Sequence, residues 1–169
     1  KIPDGRAARG AVHLFPQRED PLICAADVEF YLHQNIPLSR QMGIRVTVCD
    51  DTGVRLAAPL EPNVNHMGTV FGGSASAVAM LCGWVLMHAR IAEFPFATGL
   101  VIRRNQMEFD SPIDADFEAW CAAPDADKLA QFDTALANEG KARLQLDVDL
   151  LINGHCAAAF VGTYVAVKK

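Results

Sequence analysis

One long segment without charged side chains constrains the fold of this chain more than any other feature. From Ser74 to Ala89 the residues are small or apolar, with few polar side chains among them, and the first charged side chain is Arg90. A helix that has no charged face must be surrounded by protein. A membrane span needs about 20 apolar residues, and this segment is shorter and follows a polar loop. The segment therefore predicts a buried core helix and no membrane span.

Small residues recur within this predicted helix, at Ala75, Ala77, Ala79 and Gly83. Side chains of this size let another part of the chain come close to the helix axis. We therefore expect a curved sheet to wrap around the helix, with the helix N terminus open to a cleft.

The loop that precedes the helix, residues 63–73, contains asparagine, histidine and several glycines. Gly72 and Gly73 fall where the helix begins, so no Cβ shields the first free backbone N–H groups. These donors, at the positive end of the helix dipole, suit a developing negative charge such as an oxyanion. Alternatively, the Gly-Gly-Ser sequence only caps the N terminus of a core helix.

The remaining segments predict one antiparallel sheet. Alternation of apolar and polar residues predicts strands, and the sequences at 50–53 and 153–154 predict hairpin turns. The predicted strands are 44–49, 54–59, 98–110, 116–122, 141–152 and 155–167, with a helix over 21–36 and a short helix or loop over 124–138. This order predicts an α+β fold in which an antiparallel sheet packs on one central helix.

Length and composition set further limits. The chain has 169 residues, which suits a single domain over 21–169 after a loose N-terminal arm over 1–20. The net charge of −5 argues against a nucleic-acid partner, because phosphate binding needs a basic surface. The 5 cysteines lack metal-binding spacing and predict reduced thiols in the cytoplasm, with no metal site. The first residues also lack the apolar stretch of a signal peptide.

The sequence that joins the loop to the helix, Asn65-His66-Met67-Gly68-Thr69-Val70-Phe71-Gly72-Gly73-Ser74, resembles that of the hotdog-fold thioesterases. It is similar in particular to the YiiD C-terminal family of putative thioesterases. The matching residues of that family's pattern are Ala58-Pro59-Leu60, Asn63, Asn65-His66, Gly68-Thr69, Phe71-Gly72-Gly73-Ser74 and Gly83-Trp84. The resemblance extends from about residue 28 to the end of the chain.

This resemblance implies a hotdog fold, in which the sheet wraps the central helix and two subunits pair through their long strands. It implies a homodimer or a dimer of dimers, with the substrate cleft at the subunit interface beside the N terminus of the central helix. The implied substrate is an acyl thioester of coenzyme A or of an acyl carrier protein. Water would hydrolyse it without a metal or an organic cofactor.

Such a hydrolase needs donors for the carbonyl oxygen and a group that orients or deprotonates water. For the first role we predict the backbone N–H of Gly73, helped by the Asn65 amide. For the second role the candidates are His66 and Ser74. Each side chain has a structural alternative: Asn65 bonding within its loop, His66 bonding backbone, and Ser74 capping the helix.

Substrate contacts are predicted for Phe71, Gly72 and Met80 at the cleft. Arg103 and Arg104, together with Lys141, could meet the phosphates of coenzyme A, since arginine gives bidentate contacts. Glu108 and Asp110 on the long strand could supply a carboxylate from the partner subunit.

One departure from the related phenylacetyl-CoA-type enzymes stands out. Those enzymes place an Asp or Glu on the central helix about two turns after the Gly-Gly pair, where this chain has Met80. Phe71 replaces the histidine of their His-Gly-Gly sequence. A non-catalytic module that binds acyl thioesters therefore stays open as a second function. A hydratase or dehydratase ranks last, because it needs an Asp/His pair near the cleft and none stands out.

Overall fold

A computed structural model describes residues 25–169. The chain forms a mixed α+β fold with a six-stranded antiparallel sheet in the order β1-β2-β4-β5-β6-β3. The elements in chain order are α1 Ala25–Asn35, α2 Pro37–Gln41, β1 Arg45–Asp50, β2 Gly53–Ala58, a 3-10 turn Glu61–Asn63, α3 Gly72–Ile91, β3 Thr98–Phe109, β4 Phe117–Ala122, α4 Ala126–Glu139, β5 Lys141–Ile152 and β6 His155–Lys168. The predicted fold class, a sheet on one long central helix, is confirmed.

Helix α3 is the core of the molecule. It contacts strands β2 to β6, and it buries a continuous series of small and apolar side chains. Strand β5 matches it with strictly alternating buried and exposed residues from Lys141 to Leu150. By length and composition α3 could cross a membrane, but 50% of its most apolar window is buried within the structure. Its packing is that of a core helix.

The sheet approaches α3 closely at Gly83. A Cβ placed on Gly83 would lie 2.5 Å from the hydroxyl oxygen of Tyr164 on β6. Tyr164 is fully buried and donates a 2.7 Å hydrogen bond to the carbonyl of Met80. Burial raises the pKa of Tyr164, so the phenol keeps the proton that it donates. The Tyr164 side chain, and not the sheet backbone, therefore occupies the space that the missing Cβ of Gly83 leaves.

Two helical segments differ from the prediction. The first helix ends at Asn35, and Pro37 then opens the short helix α2 and does not merely terminate the first. Proline is compatible with this position because the first helical turn needs no N–H donor from it. The segment predicted as a helix or loop is the helix α4, which ends at Gly140 with a left-handed φ of 69°. The predicted N-terminal arm lies outside the described residues.

The described cysteines are all free thiols. Cys82 and Cys121 are buried in the core, as expected of small apolar residues. Burial raises the pKa of Cys121 to about 12 and that of Cys82 well above its ordinary value. Both thiols therefore stay protonated and act as core side chains.

The two edges of the sheet differ. At the β1 edge, the backbone N–H of Val46 donates to the Glu29 carboxylate of α1 at 2.8 Å. At the β3 edge, no described element pairs with the outer side of the strand. Strand β3 contains a bulge at Arg103, because Ile102 pairs with Tyr164 and Arg104 with Thr163. A long open edge of this kind is a template for pairing with another strand.

Candidate active site at the start of helix α3

Three backbone donors are open at the start of α3. The residue before the helix, Phe71, provides no side-chain cap, and its own N–H donates to the carbonyl of Asn63 at 2.7 Å. The first N–H with a backbone acceptor inside the helix region is that of Ala75, which donates to Phe71 O at 3.0 Å. Within residues 25–169, the N–H groups of Gly72, Gly73 and Ser74 have no acceptor. Gly73 is exposed, so its N–H can reach a ligand.

The preceding loop is anchored at a buried asparagine. Asn63 is 1% exposed, and its Nδ2 donates to the carbonyls of Met42 at 2.9 Å and Pro59 at 2.8 Å. The carboxylate of Asp116 accepts a 2.8 Å hydrogen bond from the N–H of Leu60. These contacts fix the loop to the β1–β2 layer and therefore fix the direction in which α3 begins.

The side-chain hydrogen bonds of Asn65 are all made within the loop. Its Oδ1 accepts from the N–H groups of Met67 at 2.7 Å and Thr69 at 3.3 Å. Its Nδ2 donates to Thr69 Oγ1 at 2.9 Å and to the carbonyl of Val70 at 3.3 Å. This is the loop-stabilising alternative given above. The predicted contact of Asn65 with a substrate oxygen stays a prediction, and it requires these bonds to rearrange.

Aromatic side chains flank the open donors. The Phe71 ring lies against Gly73, since a Cβ on Gly73 would overlap its Cε1 atom. Phe109, at the end of β3, lies beside Gly72, where a Cβ would be 3.3 Å from its Cζ. Phe71 is 58% exposed and Phe109 52%. The loop adds exposed Val64 and Met67, so these four residues form an apolar rim.

His66 and Ser74 keep their side chains available. His66 is exposed and Ser74 is half-buried. Neither side chain makes a hydrogen bond or an ion pair with the described part of the chain. The first turn of α3 is instead braced by Ser76, whose hydroxyl donates to the carbonyl of Gly72 at 2.8 Å. The capping alternative for Ser74 is therefore not what the structure shows.

Beyond the first turn, the less buried face of α3 is apolar. Ala77, Met80, Leu81 and Trp84 are half-buried and pack against the core. The Trp84 ring stacks on His88, with centroids 4.4 Å apart. No carboxylate occurs on α3, so the helix itself supplies no acid beside Met80. This face suits an apolar ligand.

The predicted phosphate contacts lie elsewhere in the same subunit. Arg103 and Lys141 line a cavity at the far end of β3, and the strand from Arg103 to Phe109 spans roughly 20 Å. Arg104 is on the same part of β3 but does not line that cavity. Within one subunit these cations are therefore remote from Gly73. A single chain does not assemble the complete predicted site.

One of the two carboxylates predicted to act from the partner subunit is engaged within its own strand. Glu108 accepts a 2.9 Å hydrogen bond from Gln106. It is on the opposite face of β3 from Phe109, because successive strand residues point to opposite faces. Within the described residues, no three His, Cys, Asp or Glu side chains come together as metal ligands.

Sequence reasoning missed two features of this region. The apolar rim includes Met67 and Phe109, and the sequence signal for both is a large apolar residue beside a turn. The cavity at the far end of β3 depends on where α4 packs. No local sequence pattern reports that packing.

Comparison with known proteins agrees with this architecture. Residues 25–168 match the family model described as putative thioesterase (yiiD_Cterm). A protein of unknown function from Chlorobaculum tepidum TLS has 27% identity and a TM-score of 0.80, over 86% of this chain and 94% of its own. A putative thioesterase from Shewanella oneidensis has 26% identity and a TM-score of 0.74, over 85% of this chain and 96% of its own. A thioesterase from Haemophilus influenzae, at 11% identity and a TM-score of 0.67, covers 87% of this chain and 92% of its own and shares the fold alone.

The long helix on a six-stranded antiparallel sheet, with open donors at the helix start, defines a hotdog-fold protein of the thioesterase type. Within this class, the chain belongs to the YiiD C-terminal family of putative thioesterases. The resemblance seen in the sequence is thereby confirmed for both the fold and the family.

Proposed function

We propose that this protein hydrolyses an acyl thioester of coenzyme A or of an acyl carrier protein. The observation that carries the proposal is that the N–H groups of Gly72, Gly73 and Ser74 have no acceptor in the described part of the chain and lie next to exposed apolar side chains. The N–H of Gly73 would donate to the thioester oxygen. That contact strengthens as the oxygen gains charge, and the positive end of the helix dipole adds to it.

The acyl group would lie along the apolar face of α3. Phe71 and Gly72 would border its entrance, and Met80, which is partly buried against the core, would contact it two turns further on. Because these side chains carry no charge, they favour an uncharged acyl chain over a charged one.

His66 and Ser74 are the candidates for orienting water. In the proposed reaction, water oxygen bonds to the carbonyl carbon and the carbon–sulfur bond breaks. His66 would take a proton from the water and return it to the leaving sulfur, which gives a carboxylic acid and a thiol. Both side chains are available for this because neither is engaged within the described residues.

The proposed active unit is a homodimer formed by antiparallel pairing of two β3 edges. The open edge of β3 supports this pairing, and pairing would cover part of the apolar rim. Full-length antiparallel pairing would place Arg103 and Arg104 near the centre of the interface, and the Thr98 end of one strand beside the Phe109 end of the other.

Release of free thiol from a panel of acyl-CoAs tests the proposal. Chain lengths from acetyl to palmitoyl and one aromatic acyl group should include at least one substrate hydrolysed well above background. Absence of turnover with every acyl group would contradict it.

A second function follows from the apolar face of α3. Because no carboxylate lies on that helix beside Met80, the site could bind an acyl thioester without hydrolysing it. Tight acyl-CoA binding in calorimetry, together with no thiol release, would establish this function in place of the first.

A further inference from the structure

A cavity of about 780 Å³ lies between helix α4 and strands β3, β5 and β6. Strand β3 runs from this cavity to Phe109, beside Gly72. The part of the strand between Val101 and Phe109 spans roughly 26 Å. Within one subunit, the cavity is therefore a separate place from the start of α3.

Positive side chains outnumber negative ones in the lining of this cavity. The lining contains Arg103, Lys128, Lys141 and Arg143 but a single carboxylate, that of Glu139. The whole chain carries a net charge of −5. An excess of positive side chains in this cavity is therefore opposite in sign to the charge of the chain as a whole. A small concave space that gathers one sign of charge raises the local concentration of ions of the opposite sign.

Three of these cations have no partner among the described residues. Lys128 forms an ion pair with Asp125 at 3.3 Å. In contrast, Arg103, Lys141 and Arg143 make no ion pair and no side-chain hydrogen bond with any residue from 25 to 169. Their mutual repulsion would be relieved by a bound anion.

Apolar side chains lie in the same space. Arg143 pairs with Val165, and Val165 pairs with Val101, so the three side chains share one face of the sheet. Val165 is only 6% exposed. Phe132 of α4 lines the cavity as well. A complementary ligand therefore has an apolar or aromatic body as well as negative charge.

We propose that this cavity binds an organic phosphate that carries at least two negative charges on an aromatic or apolar body, as a nucleotide does. Two arginines provide planar forks that bind phosphate oxygens bidentately. A monocarboxylate would leave most of the unpaired cations unmatched. The volume lies within the roughly 300–1,000 Å³ of small-molecule sites.

Two kinds of molecule carry negative phosphate charges on such a body. One is the nucleotide portion of coenzyme A, and that assignment rests on the proposed function. In an antiparallel β3 dimer, the cavity of one subunit lies at the same end as the partner's α3 start, although the thioester need not reach it. The other source is a free nucleotide, whose binding is independent of thioesterase activity.

Isothermal titration calorimetry tests the binding directly. The probes are adenosine 3′,5′-bisphosphate and ADP, with inorganic phosphate, adenosine and octanoate as comparisons. We expect the two nucleotides to bind at least ~10-fold more tightly than the comparisons, with an affinity that falls as salt rises. Arg143→Gln should weaken nucleotide binding at least ~10-fold, and Arg143→Lys should recover part of it.

Arg45→Gln is the matched control, because Arg45 is an exposed cation on β1, at the other edge of the sheet. It should change nucleotide affinity less than ~2-fold. If Arg143→Gln lowers the melting temperature strongly, Arg103→Gln, at the bulge in β3, is the test variant instead. Octanoate binding as tightly as the nucleotides, equal effects of Arg45→Gln and Arg143→Gln, or no nucleotide binding below about 1 mM would each overturn the proposal.

The kinetics of acyl-CoA hydrolysis then show which of the two molecules the cavity binds. A raised KM for acyl-CoA at constant kcat in Arg143→Gln identifies the coenzyme A nucleotide. Nucleotide binding with an unchanged KM identifies a free nucleotide. Nucleotide binding by a protein that hydrolyses no acyl-CoA would contradict the proposed function and leave this site in place.

Discussion

In the proposed reaction, the backbone N–H of Gly73 is the donor to the thioester oxygen. In Gly73→Pro this donor is absent, while a proline in the first helical turn keeps the helix. We expect kcat for acyl-CoA hydrolysis to fall on the order of 100-fold, the usual cost of removing one oxyanion donor. Thiol release under saturating substrate measures it.

Gly73→Ala is the matched control for this prediction. It adds a Cβ where the Phe71 ring now lies, but the exposed ring can rotate away and the N–H remains. Its kcat should therefore stay within a few-fold of the parent value. Equal losses in both variants would show that the N–H is not the operative donor.

Burial of the His88 side chain predicts that the protein loses stability in acid. It is 8% exposed, its ring stacks with those of Trp84 and Tyr31, and burial lowers its pKa to about 4. The unfolded chain, with a pKa near 6.5, therefore binds this proton more readily than the folded chain does. Its contribution is complete above about pH 6.5 and is lost as pH falls towards 4, by up to about 3 kcal/mol.

Urea unfolding at pH 7, 5.5 and 4.5 measures this contribution. His88→Phe keeps an aromatic ring in the stack and removes the titration. It should have a flatter dependence of unfolding free energy on pH between 6.5 and 4 than the parent, whatever its stability at pH 7. An unchanged slope would assign the acid sensitivity to other groups.

At the scale of elements, the contact between α3 and β6 reverses a common rule. Alanine normally stabilises a helix interior by about 1 kcal/mol relative to glycine. At Gly83 we expect Gly83→Ala to destabilise by about 2–3 kcal/mol, because its Cβ would meet the buried Tyr164 hydroxyl at 2.5 Å. Denaturant midpoints measure the sign, and stabilisation would contradict this account.

The double variant Gly83→Ala/Tyr164→Phe isolates the cause. Tyr164→Phe alone loses the hydrogen bond to Met80 and should cost about 1 kcal/mol. Removing the hydroxyl relieves the shortest of the new contacts, while the ring carbons Cζ and Cε2 would still lie 2.8 and 2.9 Å from the added Cβ. The double variant should therefore lose less stability than the sum of the two single variants.

Elements with a strong local pattern could be predicted from the sequence. Strand β5 was predicted at its observed bounds, because its alternation records which face meets α3. Helix α4 was ambiguous, since only Phe132 and Leu136 are buried along it. Its extent depends on packing against β5, which local periodicity does not encode.

The same distinction holds for the candidate site. The open donors at Gly73 follow from glycines at a helix start, which is a local feature. Asn65 could bond either its own loop or a ligand, and sequence spacing does not choose between them. The cavity with Arg103 and Arg143 joins residues far apart in the chain, so only the assembled sheet brings them together.

At the scale of the whole molecule, the open β3 edge and the apolar rim point to one assembly. If β3 edges pair, both copies of Phe109, each 52% exposed in the single chain, lie at or near the interface. Phe109→Lys should then weaken the dimer roughly 100-fold, because each buried phenylalanine contributes about 1.5–3 kcal/mol. Phe30→Lys replaces an even more exposed phenylalanine, 66% accessible on α1 and away from β3, and should leave dimerisation intact. Sedimentation equilibrium measures both. A dimer that survives Phe109→Lys unchanged, or that Phe30→Lys dissociates equally, would place the interface away from the β3 edge.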